Sequence, residues 1–388
     1  MKRRHLINQF KDFFHSPFGQ GRGEHQPDFI FLGALFLICF LGLLMLSSAS
    51  SVQSFQQHGS SYYFVKRQFF RGLLPGLLLF FIFSRLNLNF LKKYSFWFLI
   101  GSLVLLVAVF IPGLGVASGQ TKSWLKFGAL SFQPSEILKL SFIIYLAAWL
   151  ENKSHSLEMK NLRYTLLPFL FLLGVITLLI MAQPDLGTFL IIMAIAGIVY
   201  FAANAPWRHL VGILGAFLII VFLAVQIAPY RLSRITTFLN PAIDPQGTGY
   251  QIQQAKLAIG SGGLFGLGIG KSRQKFNYLP EVKGDSIFAV IAEEMGFIFS
   301  LLLLLLFLTI MLRGFKIARA SPDNFSSLLA IGIIGWFSFQ AFINIGAMVG
   351  ALPLTGIPLP FISYGGTALT ISLVAGGILT KISKQTIN

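Results

Sequence analysis

Residues 286–312 read SIFAVIAEEMGFIFSLLLLLLFLTIML, an apolar run that is long enough to cross a bilayer. A membrane-spanning helix needs about 20 predominantly apolar residues. Two adjacent acids, Glu293 and Glu294, interrupt the run near its start. A charge at the centre of a membrane helix costs about 2.5–3.5 kcal/mol on the insertion scale. We therefore expect a spanning helix in which at least one of these carboxylates faces a polar interior or pairs with a basic residue.

Similar apolar runs recur along the whole chain. The chain has 388 residues, of which 55% are hydrophobic and 11% are charged, and this leaves too little polar surface for a soluble globular enzyme. The sequence predicts an all-α, polytopic integral membrane protein with about ten transmembrane helices. The predicted spans are residues 29–49, 66–84, 94–112, 134–150, 163–183, 187–203, 208–229, 286–312, 325–350 and 364–380.

The distribution of Lys and Arg predicts the orientation of these spans. Basic residues are concentrated in the N-terminal tail (1–28) and in the short segments that face the same side of the membrane, including the C-terminal tail (381–388). Both termini are therefore expected in the cytoplasm, on either side of one transmembrane domain over residues 29–380. The net charge of +17 is explained by this topology and by the attraction of basic side chains to anionic lipids. No motif for nucleic-acid binding is present.

The long loop 230–285, between the seventh and eighth predicted spans, is expected on the outer side. Its residues 260–270 read GSGGLFGLGIG, which is not a P-loop because Phe265 stands where that motif needs glycine. We expect these glycines to allow tight turns and close backbone approach. The basic residues Lys271, Arg273 and Lys283 are either solvated side chains near lipid phosphates or part of a site for an anionic diphosphate.

Charged residues also stand at the ends of two other predicted spans. Glu136 and Lys139 begin the fourth span and share one helical face, so they form a structural ion pair or line a substrate site. Asp185 follows a proline and is expected to form a turn and to cap the sixth span. Trp124, close to Lys122 in an outer segment, fits an anchor at the membrane interface.

Asp285 opens the eighth span directly after the basic loop, and Glu281 lies four residues earlier. An acid at a helix N-terminus is stabilised by the helix dipole, so a simple cap is one interpretation. The other is a general base, because partial desolvation would raise the pKa of a carboxyl group towards a useful range. The six histidines and Cys39 show no metal-ligand spacing.

Several motifs resemble, in order, those of the SEDS family (shape, elongation, division and sporulation). They are Lys122-x-Trp124, Gln133-Pro-Ser-Glu136, Gln183-Pro-Asp185, Gly249-Tyr-Gln251, Leu279-Pro-Glu281 and Pro358-Leu-Pro-Phe-Ile-Ser363. The resemblance extends from about residue 28 to the end of the chain. One departure is Lys283-Gly284, where many relatives have His-Thr.

This resemblance implies a ten-helix enzyme of the bacterial plasma membrane that polymerises lipid II into peptidoglycan strands. It also implies a class B penicillin-binding protein, a transpeptidase, as a partner, together with other membrane proteins of the division machinery. The essential aspartate of the family falls on Asp285, its important tryptophan on Trp124, and the charged pair of its fourth helix on Glu136 and Lys139. Members that act at the division site match best, which predicts a role in septal wall synthesis.

The resulting hypothesis makes Asp285 the general base that activates the acceptor hydroxyl. Lysine and arginine side chains, or a divalent cation such as Mg²⁺ or Mn²⁺, would stabilise the undecaprenyl diphosphate leaving group. The basic candidates are Lys122, Lys271, Arg273 and Lys283, and the supporting acids are Asp185, Glu281, Glu293 and Glu294. Three alternatives stay open: a lipid II flippase, a polymerase for cell elongation, and a scaffold for division proteins.

Overall fold

The computed structural model describes residues 25–118, 121–128, 130–151, 153–154, 159, 161–227, 236–240 and 247–386. Most of the predicted N-terminal tail, part of the loop 230–285 and the last two residues lie outside these ranges. Helices dominate the described chain. In order they are α1 (Phe29–Ala49), α2 (Ser51–His58), α3 (Tyr63–Gln68), α4 (Leu74–Phe83), α5 (Leu88–Ala108), α6 (Pro134–Glu151), α7 (Leu167–Ala182), α8 (Leu186–Ala202), α9 (Trp207–Ile227), α10 (Thr248–Ser261), α11 (Ile287–Arg319), α12 (Asn324–Met348) and α13 (Gly366–Ser383).

Each of the ten predicted spans contains helix. The second span joins α3 to α4 through the π-helical turn Phe69–Leu73, and a similar turn, Leu162–Leu166, leads into α7. Within the described ranges, six helices are long and apolar enough to cross a membrane: Phe29–Ala49, Leu88–Ala108, Leu162–Ala182, Ile287–Arg319, Asn324–Met348 and Gly366–Ser383. These helices identify a multi-pass membrane protein, while the total of ten crossings and the orientation stay predictions.

The prediction of an all-α fold is wrong for the segment between α5 and α6. There the described residues form a three-stranded antiparallel sheet of β1 (Gly115–Ser118), β2 (Thr121–Phe127) and β3 (Leu130–Phe132). Strand β2 alternates in character, because Ser123 and Leu125 are buried whereas Lys126 is exposed. This period of two places Trp124 and Lys126 on the opposite face from Ser123 and Leu125.

The described part of the loop 230–285 has regular structure and close contacts with α11. It contains α10, and the glycine-rich segment that follows is inserted into a break in α11 at Gly296, where φ is 78°. Leu267 N and Gly268 N donate to the carbonyls of Glu293 and Glu294, at 3.0 and 2.9 Å. These contacts replace the helical bonds that the break removes.

The reciprocal bonds run from the part of α11 that follows Gly296 to the glycine-rich segment. Phe297 N and Ile298 N donate to the carbonyls of Gly263 and Leu264, at 2.9 and 3.2 Å. A backbone broken inside a membrane protein is tolerated where such groups find new partners. A Cβ atom on Gly262 or Gly266 would collide with the α11 backbone. The expectation that these glycines allow close backbone approach is therefore confirmed.

Side chains of α11 reinforce the same junction. The Glu294 carboxylate accepts from Ser48 Oγ of α1 and pairs with Lys275 Nζ at 2.9 Å. The Glu293 carboxylate accepts from Ser272 Oγ and from Arg273 N, the latter at 2.8 Å. Both glutamates are buried, and their charges are met by hydrogen-bond donors and one ammonium group. A buried carboxylate that lost these partners would be strongly destabilising.

Replacement of Gly296 by alanine tests this junction. Alanine at a φ of 78° is strained, and its Cβ would lie 2.6 Å from the Leu264 carbonyl oxygen. We expect Gly296→Ala to lower the free energy of unfolding by about 2–4 kcal/mol, measured by thermal unfolding of the detergent-solubilised protein through tryptophan fluorescence.

Gly260→Ala is the matched control. Gly260 lies in α10, and a Cβ there meets nothing within 4 Å. Alanine should leave stability unchanged or raise it by about 0.5–1 kcal/mol, because it lowers the entropy of the unfolded chain. Equal unfolding temperatures for Gly296→Ala and the unmodified protein would contradict this description of the junction.

Candidate active site

A cavity of about 430 Å³ lies where the loop before α11 meets α6, α8, α10, α12 and the segment before α13. It brings together polar groups that are far apart in the sequence. They include Trp124, Gln133, Glu136, Lys139, Asp185, Gln251, Glu281, Asp285, Gln340 and Tyr364. Six of the twelve candidate residues therefore line one cavity: Trp124, Glu136, Lys139, Asp185, Glu281 and Asp285.

Asp285 is held from two sides. Asn344 of α12 donates to its backbone carbonyl at 2.8 Å and to the Ile357 carbonyl at 2.7 Å. Gln251 Nε2 of α10 lies 3.4 and 3.5 Å from the two carboxylate oxygens of Asp285, and 2.9 Å from Ser286 Oγ. The N-cap position of α11 belongs to Ser286, one residue later. The Asp285 carboxylate therefore lies beside an amide donor and faces the cavity.

The segment before α13 fixes the loop that carries Asp285. Ser363 Oγ donates to the Gly284 carbonyl at 2.7 Å, and Tyr364 N donates to the Lys283 carbonyl at 2.8 Å. The Lys283 ammonium lies 3.8 Å from the centre of the Phe64 ring, outside the cavity lining. Burial lowers the pKa of Lys283, and the nearby Glu281 charge opposes that shift.

The Glu136–Lys139 pair is buried and also lines the cavity. Lys139 Nζ lies 2.8 Å from Glu136 Oε1, 3.2 Å from Gln340 Oε1 and 4.7 Å from the centre of the Trp336 ring. Trp336 Nε1 donates to the same Gln340 oxygen at 2.6 Å. Glu136 Oε2 is buried and has no hydrogen-bond donor among the described residues. The geometry thus combines an ion pair with an acceptor that a ligand could use.

Asp185 caps α8, as its position after Pro184 predicts. Its Oδ1 accepts from Thr188 N at 2.9 Å, and its Oδ2 accepts from Thr188 Oγ1 at 2.7 Å. Gln133 Nε2 approaches the same Oδ2 at 3.5 Å. The cap and the cavity wall are therefore formed by one carboxylate.

The other six candidates lie outside this cavity. Lys271 and Arg273 follow the glycine-rich segment and are exposed. Glu293 and Glu294 bind residues 272–275, which come directly after that segment. Lys122 is absent from the cavity lining, as is Lys283. Lys271, Arg273 and Lys283 are thus not placed to meet a leaving group beside Asp285.

Four of these lining residues are not predicted as site residues from the sequence: Gln133, Gln251, Gln340 and Tyr364. Gln133 and Gln251 belong to two of the quoted motifs, and Tyr364 directly follows a third, the one that ends at Ser363, so the motifs were the available signal. Gln340 lies inside an apolar span, where an amide group needs a partner just as a charge does.

A divalent cation finds no ready ligand set here. Among the described residues, no group of three or more His, Cys, Asp or Glu side chains is close enough to hold a metal ion. The described residues thus offer no cluster of three protein ligands for the Mg²⁺ or Mn²⁺ that the sequence leaves open, and the steps assigned to these residues involve no metal.

Known proteins resemble this chain along almost its full length. The family model described as "Cell cycle protein", which covers FtsW, RodA and SpoVE, matches residues 29–388. The stage V sporulation protein E of Bacillus subtilis is 41% identical over 92% of this chain and 97% of its own. The probable peptidoglycan glycosyltransferase FtsW of Geobacter metallireducens is 37% identical over 92% of this chain and 94% of its own.

A solved structure shows the same fold. It is a chain from a peptidoglycan synthase complex, described in terms of the coordination of polymerization and crosslinking. It superposes with a TM-score of 0.77 and 29% identity, over 93% of this chain and 98% of that one. The extent of the family match and the identity to these relatives lead to one conclusion: the chain belongs to the FtsW/RodA/SpoVE family, the SEDS family that its motifs resemble.

Proposed function

We propose that this chain is a peptidoglycan glycosyltransferase that polymerises lipid II, with Asp285 as its general base. One observation carries the proposal: the Asp285 carboxylate lines a polar cavity and is held there by α10 and α12. A probable glycosyltransferase among its relatives and a peptidoglycan synthase as structural neighbour support the reaction class.

The reaction needs one proton transfer and one displacement. The Asp285 carboxylate accepts the proton of the acceptor sugar's 4-hydroxyl as the hydroxyl oxygen attacks C1 of the donor sugar. The bond from C1 to the diphosphate oxygen breaks, and its electron pair leaves with the undecaprenyl diphosphate. Gln251 orients the carboxylate by donating to it, and Asn344 fixes the backbone beneath it.

The remaining polar groups of the cavity are assigned to sugar binding. Glu136 Oε2 is an acceptor with no protein donor among the described residues, and so it suits a sugar hydroxyl. Lys139 holds that carboxylate in place through their 2.8 Å contact. The Trp124 ring can pack against a sugar face while its indole N–H stays available as a donor. Asp185 and Glu281 complete the wall.

Two further statements concern the cell. We infer a class B penicillin-binding protein as partner, because the structural neighbour comes from a complex that couples polymerization to crosslinking. We infer septal rather than lateral wall synthesis, because the matching family model is described as "Cell cycle protein" and relatives at 36–37% identity are named FtsW rather than RodA.

Removal of the proposed base is the first test. Purified Asp285→Asn protein, reconstituted with its transpeptidase partner and supplied with labelled lipid II, should polymerise at least about 100-fold more slowly, because general-base catalysis contributes roughly 10²–10⁴-fold. Glycan strands are measured by gel electrophoresis.

Asp323→Asn is the matched control. Asp323 caps α12 by accepting from Ser326 N at 2.8 Å and does not line the cavity, and asparagine caps a helix about as well as aspartate. This variant should retain normal polymerisation. Polymerisation at the unmodified rate by a folded Asp285→Asn protein would refute the role of Asp285.

The cellular role has its own test. A fluorescent fusion expressed at native level should concentrate at the division septum, and depletion should produce filaments with incomplete septa. A fusion distributed along the lateral wall, with rounding of depleted cells, would instead assign the chain to elongation.

A further inference from the structure

A second cavity, of about 560 Å³, lies next to the first and has the opposite charge. Its polar lining includes Arg67, Arg71 and Lys126, together with Tyr63, Trp124 and Tyr364, and none of the described residues that line it is acidic. Trp124 and Tyr364 line both cavities. The two spaces therefore meet at these aromatic side chains, with Asp285 on one side and three cations on the other.

Contacts between α3 and the segment before α13 hold the two arginines near the loop that carries Asp285. Arg67 lies in α3 and Arg71 in the π-helical turn Phe69–Leu73, so their spacing of four puts them on one helical face. Between them, Gln68 donates to the Ser363 carbonyl at 3.3 Å and accepts from Gly365 N at 3.0 Å. This double contact holds both arginines beside the segment that also fixes the Asp285 loop.

The helix carrying Arg71 can approach α13 closely because glycines meet there. A Cβ on Gly366 would lie 3.0 Å from the Arg71 carbonyl, and one on Gly72 would lie 3.2 Å from Gly366 Cα. π-helical turns are rare in proteins, and those that occur often lie at functional sites, where they shift side chains relative to a regular helix. On the other wall, β2 presents Lys126 on the same face as Trp124.

The charges of this cavity have no acidic partner among the residues that the structure describes. Among the described residues, none of the ion pairs includes Arg67, Arg71 or Lys126. Arg67 Nη2 makes a long hydrogen bond of 3.4 Å to Ser131 Oγ. Burial raises the pKa of Tyr364 despite the opposing charges of Arg67 and Arg71, so its hydroxyl remains a donor at neutral pH. Converging cations and hydrogen-bond donors suit a multiply charged anion.

We propose that this basic cavity, formed by Arg67, Arg71 and Lys126, binds the diphosphate of the departing isoprenoid carrier. The inference rests on the proposed function and gives the leaving group a site that the loop residues Lys271 and Arg273 do not provide. When the bond from C1 to the diphosphate oxygen breaks, the electron pair stays on that oxygen and the new charge is met by the guanidinium groups. The sugar being attacked lies across Trp124 and Tyr364, beside Asp285.

The test measures binding of the product separately from catalysis. Arg67→Gln/Arg71→Gln protein in nanodiscs should bind undecaprenyl diphosphate at least about tenfold more weakly than the unmodified protein, and its KM for lipid II should rise. Arg85→Gln is the control, because this exposed arginine lies just beyond α4 and away from the cavity lining. Thermal unfolding confirms that each variant is folded, and Lys126→Gln provides a second, milder variant with the same expected direction.

Two further arms identify the ligand and separate this inference from the proposed function. Inorganic pyrophosphate competing with the lipid, with loss of that competition in the arginine variant, would show that the diphosphate group is recognised. Asp285→Asn protein should bind undecaprenyl diphosphate normally, so the site is measurable even if Asp285 is not the base. Unchanged binding and unchanged KM in the folded double arginine variant would overturn the inference.

Discussion

The exchange of backbone hydrogen bonds between the glycine-rich segment and the break in α11 is the constraint on which the rest of the site depends. Residues 263–268 occupy the donor and acceptor positions that α11 loses at Gly296. The chain between this insertion and the start of α11 therefore has both ends fixed to the same helix. Asp285 lies in that short connection, and its position is set by packing within the helical bundle.

Two buried glutamates of this protein, Glu294 and Glu136, differ in how their carboxylate oxygens are hydrogen-bonded. Glu294 is met by Ser48, Lys275 and a backbone donor, so that neither of its buried carboxylate oxygens is without a donor. Glu136 is paired with Lys139 through one oxygen, while its other oxygen has no donor among the described residues. A fully satisfied network rigidifies a fold, whereas an unsatisfied buried acceptor is costly unless a ligand supplies the missing bond. This difference separates a structural glutamate from one suited to substrate.

Much of this arrangement was predictable from local patterns. Apolar runs locate the helices, charges within those runs identify Glu136 and Glu294 as residues that need partners, and the motif around Asp285 identifies the family. The small sheet was less evident because its signal, the alternation from Ser123 to Lys126, is short and lies beside long apolar runs. The adjoining basic cavity could not be predicted, because Arg67 and Lys126 meet only through contacts between distant elements.

The central claim is that these two cavities carry out chain growth, with the sugar beside Asp285 and the diphosphate beside the arginines. The most direct measurement supplies labelled lipid II to the outer face of proteoliposomes that contain the protein and its partner, and follows both strand length and the sidedness of the label. Chain growth, with release of undecaprenyl diphosphate and no requirement for passage of the headgroup across the bilayer, is the predicted result. Movement of the headgroup without any strand formation would contradict the account and identify a flippase.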